Sequence, residues 1–197
     1  MTNKLKRKQK ETKPTDALLI QGKVTICQGE GKDKKVIVKD AENHWVDAGL
    51  KGLVSALVCS KENQNISPWA AGVQMYLGSD TAAPTTHGMT ALTTPIGTAP
   101  GTPPNSINGA SRTNPATGKW QTSVTAVWNS GTVSGTVGEL ALYLRAFSNL
   151  TVGWTLTTNP ANVMVSRLSS ASSDFSSFAI DPSKSLTVEW RLSISYA

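Results

Sequence analysis

Residues 186–196 read Leu186-Thr187-Val188-Glu189-Trp190-Arg191-Leu192-Ser193-Ile194-Ser195-Tyr196. Apolar and polar residues alternate without interruption, so one face of this segment meets a core and the other meets water, as a β-strand requires. A helix would place its apolar residues three and four apart, and this pattern excludes one. A strand with one wet face belongs to an antiparallel sheet. The same period recurs upstream. Trp120, Val124, Ala126 and Trp128 share one face of 119–129; Leu140, Leu142 and Leu144 share one face of 138–146; Val152, Trp154 and Leu156 do so in 150–157. By register these tryptophans face inward and are expected in the core. Trp69, beside Pro68 in a loop, is the exception.

Toward the N-terminus, 18–27 and 34–39 are rich in β-branched residues and flank Gly29-Glu30-Gly31-Lys32-Asp33, which reads as a β-hairpin. The Gly29-x-Gly31 pair lacks the third glycine and the following helix of a dinucleotide loop. From Val46 the period changes: Val46, Leu50, Leu53, Val54, Leu57 and Val58 fall on one helical stripe, predicting an amphipathic helix over 46–60. Gly49 and Gly52 weaken such a helix and are expected to let it approach a sheet closely. Trp45 is expected to staple the helix entry to the core. Residues 72–78 form a further strand, and 79–118 read as a long loop holding six of the ten prolines. A loop of that length is a candidate contact surface.

The chain is thus expected to be mainly β: an antiparallel two-layer β-sandwich with one amphipathic helix and an extended basic N-terminal arm. Its 197 residues suffice for one domain over 18–197, preceded by the arm at 1–17. Charged residues make only 16% of the sequence, below the usual quarter, while Ser and Thr together number 44, a strand-and-turn composition. No apolar stretch is long enough for a membrane helix, and no export signal is read. Cys27 and Cys59 are expected as reduced, buried thiols.

The net charge of +6 is unevenly placed. Residues 1–14 carry Lys4, Lys6, Arg7, Lys8, Lys10 and Lys13 against Glu11, a net +5, whereas 41–197 hold eight basic and eight acidic groups. A solvated tail, a nucleic-acid contact and a docking peptide for an acidic protein surface all fit such an arm. Docking sets a demanding energetic condition. Ordering 14 residues costs roughly 14–28 kcal/mol at 1–2 kcal/mol each, and exposed ion pairs return about 0.2–1 kcal/mol each. A docked arm therefore also needs backbone hydrogen bonds and burial of Leu5. No aromatic residue is interleaved in the arm to stack on bases, which disfavours nucleic acid.

Little points to catalysis. His44 and His87 lie in different segment types, and Ser134 in Gly131-Thr132-Val133-Ser134-Gly135 lacks the spacing of a nucleophile elbow. His44 is expected to make a local hydrogen bond. Asp80, Asp174 and Asp181 read as turn or cap residues. Glu139 and Glu189 are expected on outward strand faces, with Glu139, Tyr143 and Arg145 forming a surface ladder or an interface. No catalytic residue, metal ligand or cofactor is assigned.

The order of segments nonetheless resembles small virion structural proteins of tailed bacteriophages. The resemblance rests on Asn43-His44-Trp45-Val46-Asp47-Ala48-Gly49-Leu50 opening a helix, then Met75-Tyr76-Leu77-Gly78-Ser79-Asp80-Thr81-Ala82-Ala83-Pro84-Thr85, Gly138-Glu139-Leu140-Ala141-Leu142-Tyr143, Met164-Val165-Ser166-Arg167-Leu168 and the closing Leu186-Thr187-Val188-Glu189-Trp190. It spans roughly 18–197. It implies a non-enzymatic, multi-copy building block of the head, neck, tail or fibre base, located in the virion after assembly in the host cytoplasm. The expected partners are other virion proteins and further copies of the chain, with no membrane and no nucleic acid. Lys4, Leu5, Lys6, Arg7, Lys8, Lys10 and Lys13 would dock, and Trp69 and Arg112 would be ligand or interface residues. The alternative is an adhesin module binding a host receptor or surface glycan through 79–118.

Overall fold

Leu186, Val188, Trp190 and Leu192 are all buried in the computed structural model, while Thr187, Glu189, Arg191 and Ser193 between them keep access to solvent. The alternation thus sets the two faces of a real strand. The structure describes residues 18–47, 49–50, 73–116, 119–145, 151–152, 155–156 and 162–196. Among these the strands run β1 (Leu18–Gln28), β2 (Lys35–Glu42), β3 (His44–Trp45), β4 (Val73–Gly78), β5 (Ser106–Ala116), β6 (Lys119–Trp128), β7 (Gly135–Val137), β8 (Glu139–Arg145), β9 (Thr151–Val152), β10 (Thr155–Leu156), β11 (Asn162–Ser169), β12 (Phe178–Ile180) and β13 (Leu186–Tyr196).

The chain is mainly β, and its sheets are antiparallel. One sheet has the order β2-β1-β13-β6-β5 and a second the order β3-β11-β8-β4, with small pairs β12-β7 and β10-β9. A single apolar cluster joins the two larger sheets. Val24, Ile26, Val124, Ala126, Trp128, Val188 and Trp190 come from the first, and Met75, Leu77, Leu140, Leu142 and Leu168 from the second. Trp128 and Trp190 are fully buried, and the indole N–H of Trp128 donates to the Thr102 carbonyl at 3.0 Å. Trp45 packs against this cluster, as its place before Val46 predicts.

The predicted hairpin is β1 and β2, paired antiparallel from Gln28↔Lys35 to Lys23↔Glu42. A bulge interrupts the pairing near Asp40, whose φ is +52°. Arg191 on the neighbouring β13 reaches Asp40 and donates to Thr25 Oγ1 at 3.2 Å, so the bulge is fixed by charge and hydrogen bonds on the wet face. A turn at Asn129 follows β6: Thr132 N–H donates to the Asn129 carbonyl at 3.1 Å.

Three findings depart from the sequence reading. The stretch read as one loop over 79–118 divides, because Ser106–Ala116 is an edge strand paired with β6. An edge tolerates Pro115 and the polar, glycine-containing sequence that hides the strand. Second, β11 escapes a search for alternation because Met164 through Ser169 are all buried and a bulge lies between Met164 and Ser166. Third, Trp120 shares the inward register but is 62% exposed. The helix expected over 46–60 falls mostly on residues outside those described. At its start, the Val46 carbonyl accepts from Gly49 and Leu50 N–H at 2.9 and 3.1 Å. Gly49 lies so close to the backbone of Val165 that a Cβ there would overlap it, the close approach to a sheet expected of this glycine.

Candidate interaction surface

The four-stranded sheet is buried on both faces. On the face away from the main core, Tyr76, Ala141, Tyr143 and Met164 form a second apolar cluster with Val46 and with Leu92, which lies in the 79–105 segment. Tyr76 and Tyr143 meet edge to face, centroids 5.3 Å apart, and the Tyr143 hydroxyl accepts from Leu92 N–H at 3.2 Å. Burial pushes the Tyr143 phenol above its ordinary range.

Beside this cluster, Glu139 and Arg167 are completely buried and paired, Nη2 to Oε2 at 2.6 Å. Arg167 Nε also donates to Glu139 Oε2 at 3.1 Å, and the other polar atoms of the pair reach the 79–105 segment. Glu139 accepts from Thr93 N–H at 3.1 Å and Thr94 N–H at 2.7 Å. Arg167 donates to the Ala83 carbonyl at 3.2 Å from both Nη1 and Nη2, to Thr85 Oγ1 at 3.1 Å and to Thr93 Oγ1 at 3.4 Å. Ser169 adds a bond to the Ala83 carbonyl at 2.8 Å. Glu139 and Tyr143 therefore do not form the expected surface ladder. They hold the segment that covers them. Asp80 caps the start of that segment, accepting from Ala82 and Ala83 N–H at 2.6 and 3.2 Å, and these bonds hold its carboxyl below the usual range.

A second cluster joins β3 to the turn after β11. His44 Nε2 lies 2.9 Å from Asp174 Oδ1, and Asp174 Oδ2 accepts from Ser169 N–H at 2.8 Å. The bond of His44 is thus long-range rather than local, and Asp174 is a tie between elements as well as a cap. His87 Nδ1 lies 3.2 Å from the Trp45 carbonyl, apart from His44. Near Asp174 a cavity of about 500 Å³ is lined by Thr81, Ser170, Ser173, Phe175, Ser176 and Ser177. The Ser170 hydroxyl is buried there with no hydrogen-bond partner. Among the described residues no hydroxyl is bonded to the His44 ring, so nucleophile, base and orienting acid are not assembled. Nor does any group of three or more His, Cys, Asp or Glu among them stand where it could hold a metal ion.

The sequence-predicted contact residues fare differently. Lys4, Leu5, Lys6, Arg7, Lys8, Lys10, Lys13 and Trp69 lie outside the described residues. Arg112 is placed on β5 opposite Thr122 of β6. What sequence reasoning missed lies one row further along. Ile20 of β1, Ile194 of β13 and Trp120 of β6 are direct cross-strand neighbours. They continue the core-facing side of the five-stranded sheet, yet exposure climbs from 9% at Leu192 to 40% at Ile194 and 62% at Trp120. Period-two patterning carries no signal for this, because it marks which way a residue points and not where the opposing layer ends.

No protein-family model, no characterised protein and no solved structure matches the chain.

Proposed function

We propose that the chain is a non-enzymatic structural component of a bacteriophage virion. In this reading it is a β-sandwich unit that docks through residues 1–14 and repeats symmetrically on the head, neck or tail. The observation that carries the docking element is positional. β1 begins at Leu18, opposite Tyr196, at the end of the sheet where Ile194 and Trp120 are exposed. In sequence, the basic residues of 1–14 end three residues before β1, whose first residue lies at that end of the sheet. The long irregular segment 79–105 spends its buried polar contacts on the two larger sheets, on Glu139 and Arg167 in one and on Trp128 in the other, which leaves this end as the surface best suited to a partner.

The test is deletion of residues 1–14. The shortened chain should fold and remain soluble but fail to enter particles, and normal incorporation would overturn the proposal. One observation favours the adhesin reading instead: the cavity lined by Thr81 and the serines of 170–177 offers uncharged hydroxyls of the kind that pair with a sugar. Binding of a neutral glycan, lost in Ser176→Trp, would establish that reading.

A further inference from the structure

We propose that Asn108 is a self-modification site: the backbone nitrogen of Gly109 attacks its carboxamide, and the edge strand β5 acquires an aspartate or isoaspartate there without an enzyme. The inference goes beyond the docking reading and does not depend on it.

Asn108-Gly109 is the one place in the sequence where glycine follows asparagine. Ring closure needs a backbone turn that a Cβ on the following residue hinders and that glycine makes freely. The surroundings leave the pair room for it. Asn108 is exposed, and among the described residues no hydrogen bond holds its carboxamide. β5 lies at the edge of its sheet, paired with β6. That pairing is interrupted at the reacting dipeptide. Asn108 faces Thr125 and Ser111 faces Ser123, so Gly109 and Ala110 together stand opposite Val124. A bulge of this kind takes a residue out of the ladder and disrupts its hold on the backbone.

Exposure alone does not single out Asn108. Asn105 is exposed too, but it precedes Ser106, and its carboxamide oxygen accepts from Asn129 N–H and from Thr132 Oγ1, both at 2.8 Å. Asn43 precedes His44 and donates to Ser166 Oγ. These side chains are tethered where that of Asn108 is not.

The step balances with water as its one co-reactant. Gly109 N forms a bond to Asn108 Cγ, the Cγ–Nδ2 bond breaks, and ammonia leaves with the Gly109 amide proton, closing a succinimide. Water then reopens the ring. Attack at Cγ gives aspartate; attack at the former backbone carbonyl gives isoaspartate, whose chain runs through Cβ and is one carbon longer. Either product places a carboxylate in the cross-strand row Asn108–Thr125–Glu189–Thr25, which already holds one acid. The longer backbone also displaces Ser106 and Ile107 from their partners Val127 and Ala126, and Ile107 packs against the main core. Modification therefore loosens β5 where it joins the sheet.

The test incubates the full chain in mildly alkaline buffer over days. Tandem mass spectrometry of its digests locates each deamidated residue, and isoaspartate methyltransferase with a labelled methyl donor reports isoaspartate. Asn108 should convert at least about tenfold faster than Asn105. Its rate in the folded chain should lie within about tenfold of that in the free peptide Ser106–Ser111, because the bulge restrains it little. Gly109→Ala should slow conversion about tenfold, and Asn108→Ser should remove the methyl signal gained on incubation while far-UV circular dichroism stays unchanged. Equal conversion at Asn105, undiminished conversion in Gly109→Ala, or a methyl signal retained in Asn108→Ser would overturn the proposal. So would a folded chain that converts about a hundredfold slower than the peptide, since the fold would then protect the site that it is argued to expose. The comparison of chain with peptide and the Asn108→Ser result stand whether or not Gly109→Ala folds.

Discussion

Arg167 Nη2 stands 2.6 Å from Glu139 Oε2, and neither side chain has any exposed surface. The pair lies in the middle of a network that includes the backbone of Ala83, Thr93 and Thr94. Its consequence is that a segment of the chain without regular structure is fastened to the outer face of a sheet by fully desolvated charges.

Removing one partner strands the other charge in the interior, which costs about 3–5 kcal/mol. Arg167→Met and Glu139→Leu should each lower the free energy of unfolding in urea by that amount. The double variant should lose less than the sum, since no lone charge remains. In each single variant the 79–105 segment should become the first site of cleavage in limited proteolysis.

Tyr143 gives a pH signature. Its phenol is raised above the usual value near 10, first by burial. The unfolded chain therefore releases this proton before the folded one does. The stabilisation is complete below the unfolded value and is lost as pH rises through the folded one. Ultraviolet titration should show one tyrosine ionising late, with unfolding stability falling above about pH 10, and Tyr143→Phe should remove that component.

Asp174 and His44 should separate by burial. Asp174→Ala leaves the Ser169 N–H without its acceptor and should cost about 1–3 kcal/mol. His44 is half exposed, and His44→Ala should cost about 1 kcal/mol or less once solvent screening is allowed for. Thermal unfolding of both variants checks the order.

Two glycines mark where backbone meets backbone or ring. A Cβ at Gly138 would overlap the Asp80 carbonyl, and Gly101 combines φ +140° with contact against the Tyr76 ring. Alanine at either position should destabilise by about 1–3 kcal/mol. Gly88→Ala, which meets open space, should change stability by less than about 0.5 kcal/mol.

The strands with one wet face were legible from the chain alone. β1, β6 and β13 follow their alternation, and the Gly29–Asp33 turn joins the hairpin. The same reasoning placed Trp128 and Trp190 inside and made Asp80 and Asp181 turn residues. It failed where its premise fails. β11 is buried on both faces and so has no alternation to read, and β5 is a polar edge strand. Glu139 alternates with Leu140 and Leu142, so it belongs on the face opposite the main core, and that face was taken to be wet.

Local periodicity reports the direction of each side chain relative to its own strand, and the amino-acid order alone determined that much: antiparallel sheets, their core-facing sides, and a positive charge concentrated ahead of them. Whether the other side of a sheet meets water or more protein depends on segments far away in sequence. The folded arrangement alone put Ala83, Thr93 and Thr94 over Glu139 and Arg167, turning two ionic residues into interior ones. It alone left Ile194 and Trp120 exposed on a core-facing side, turning part of that face into surface.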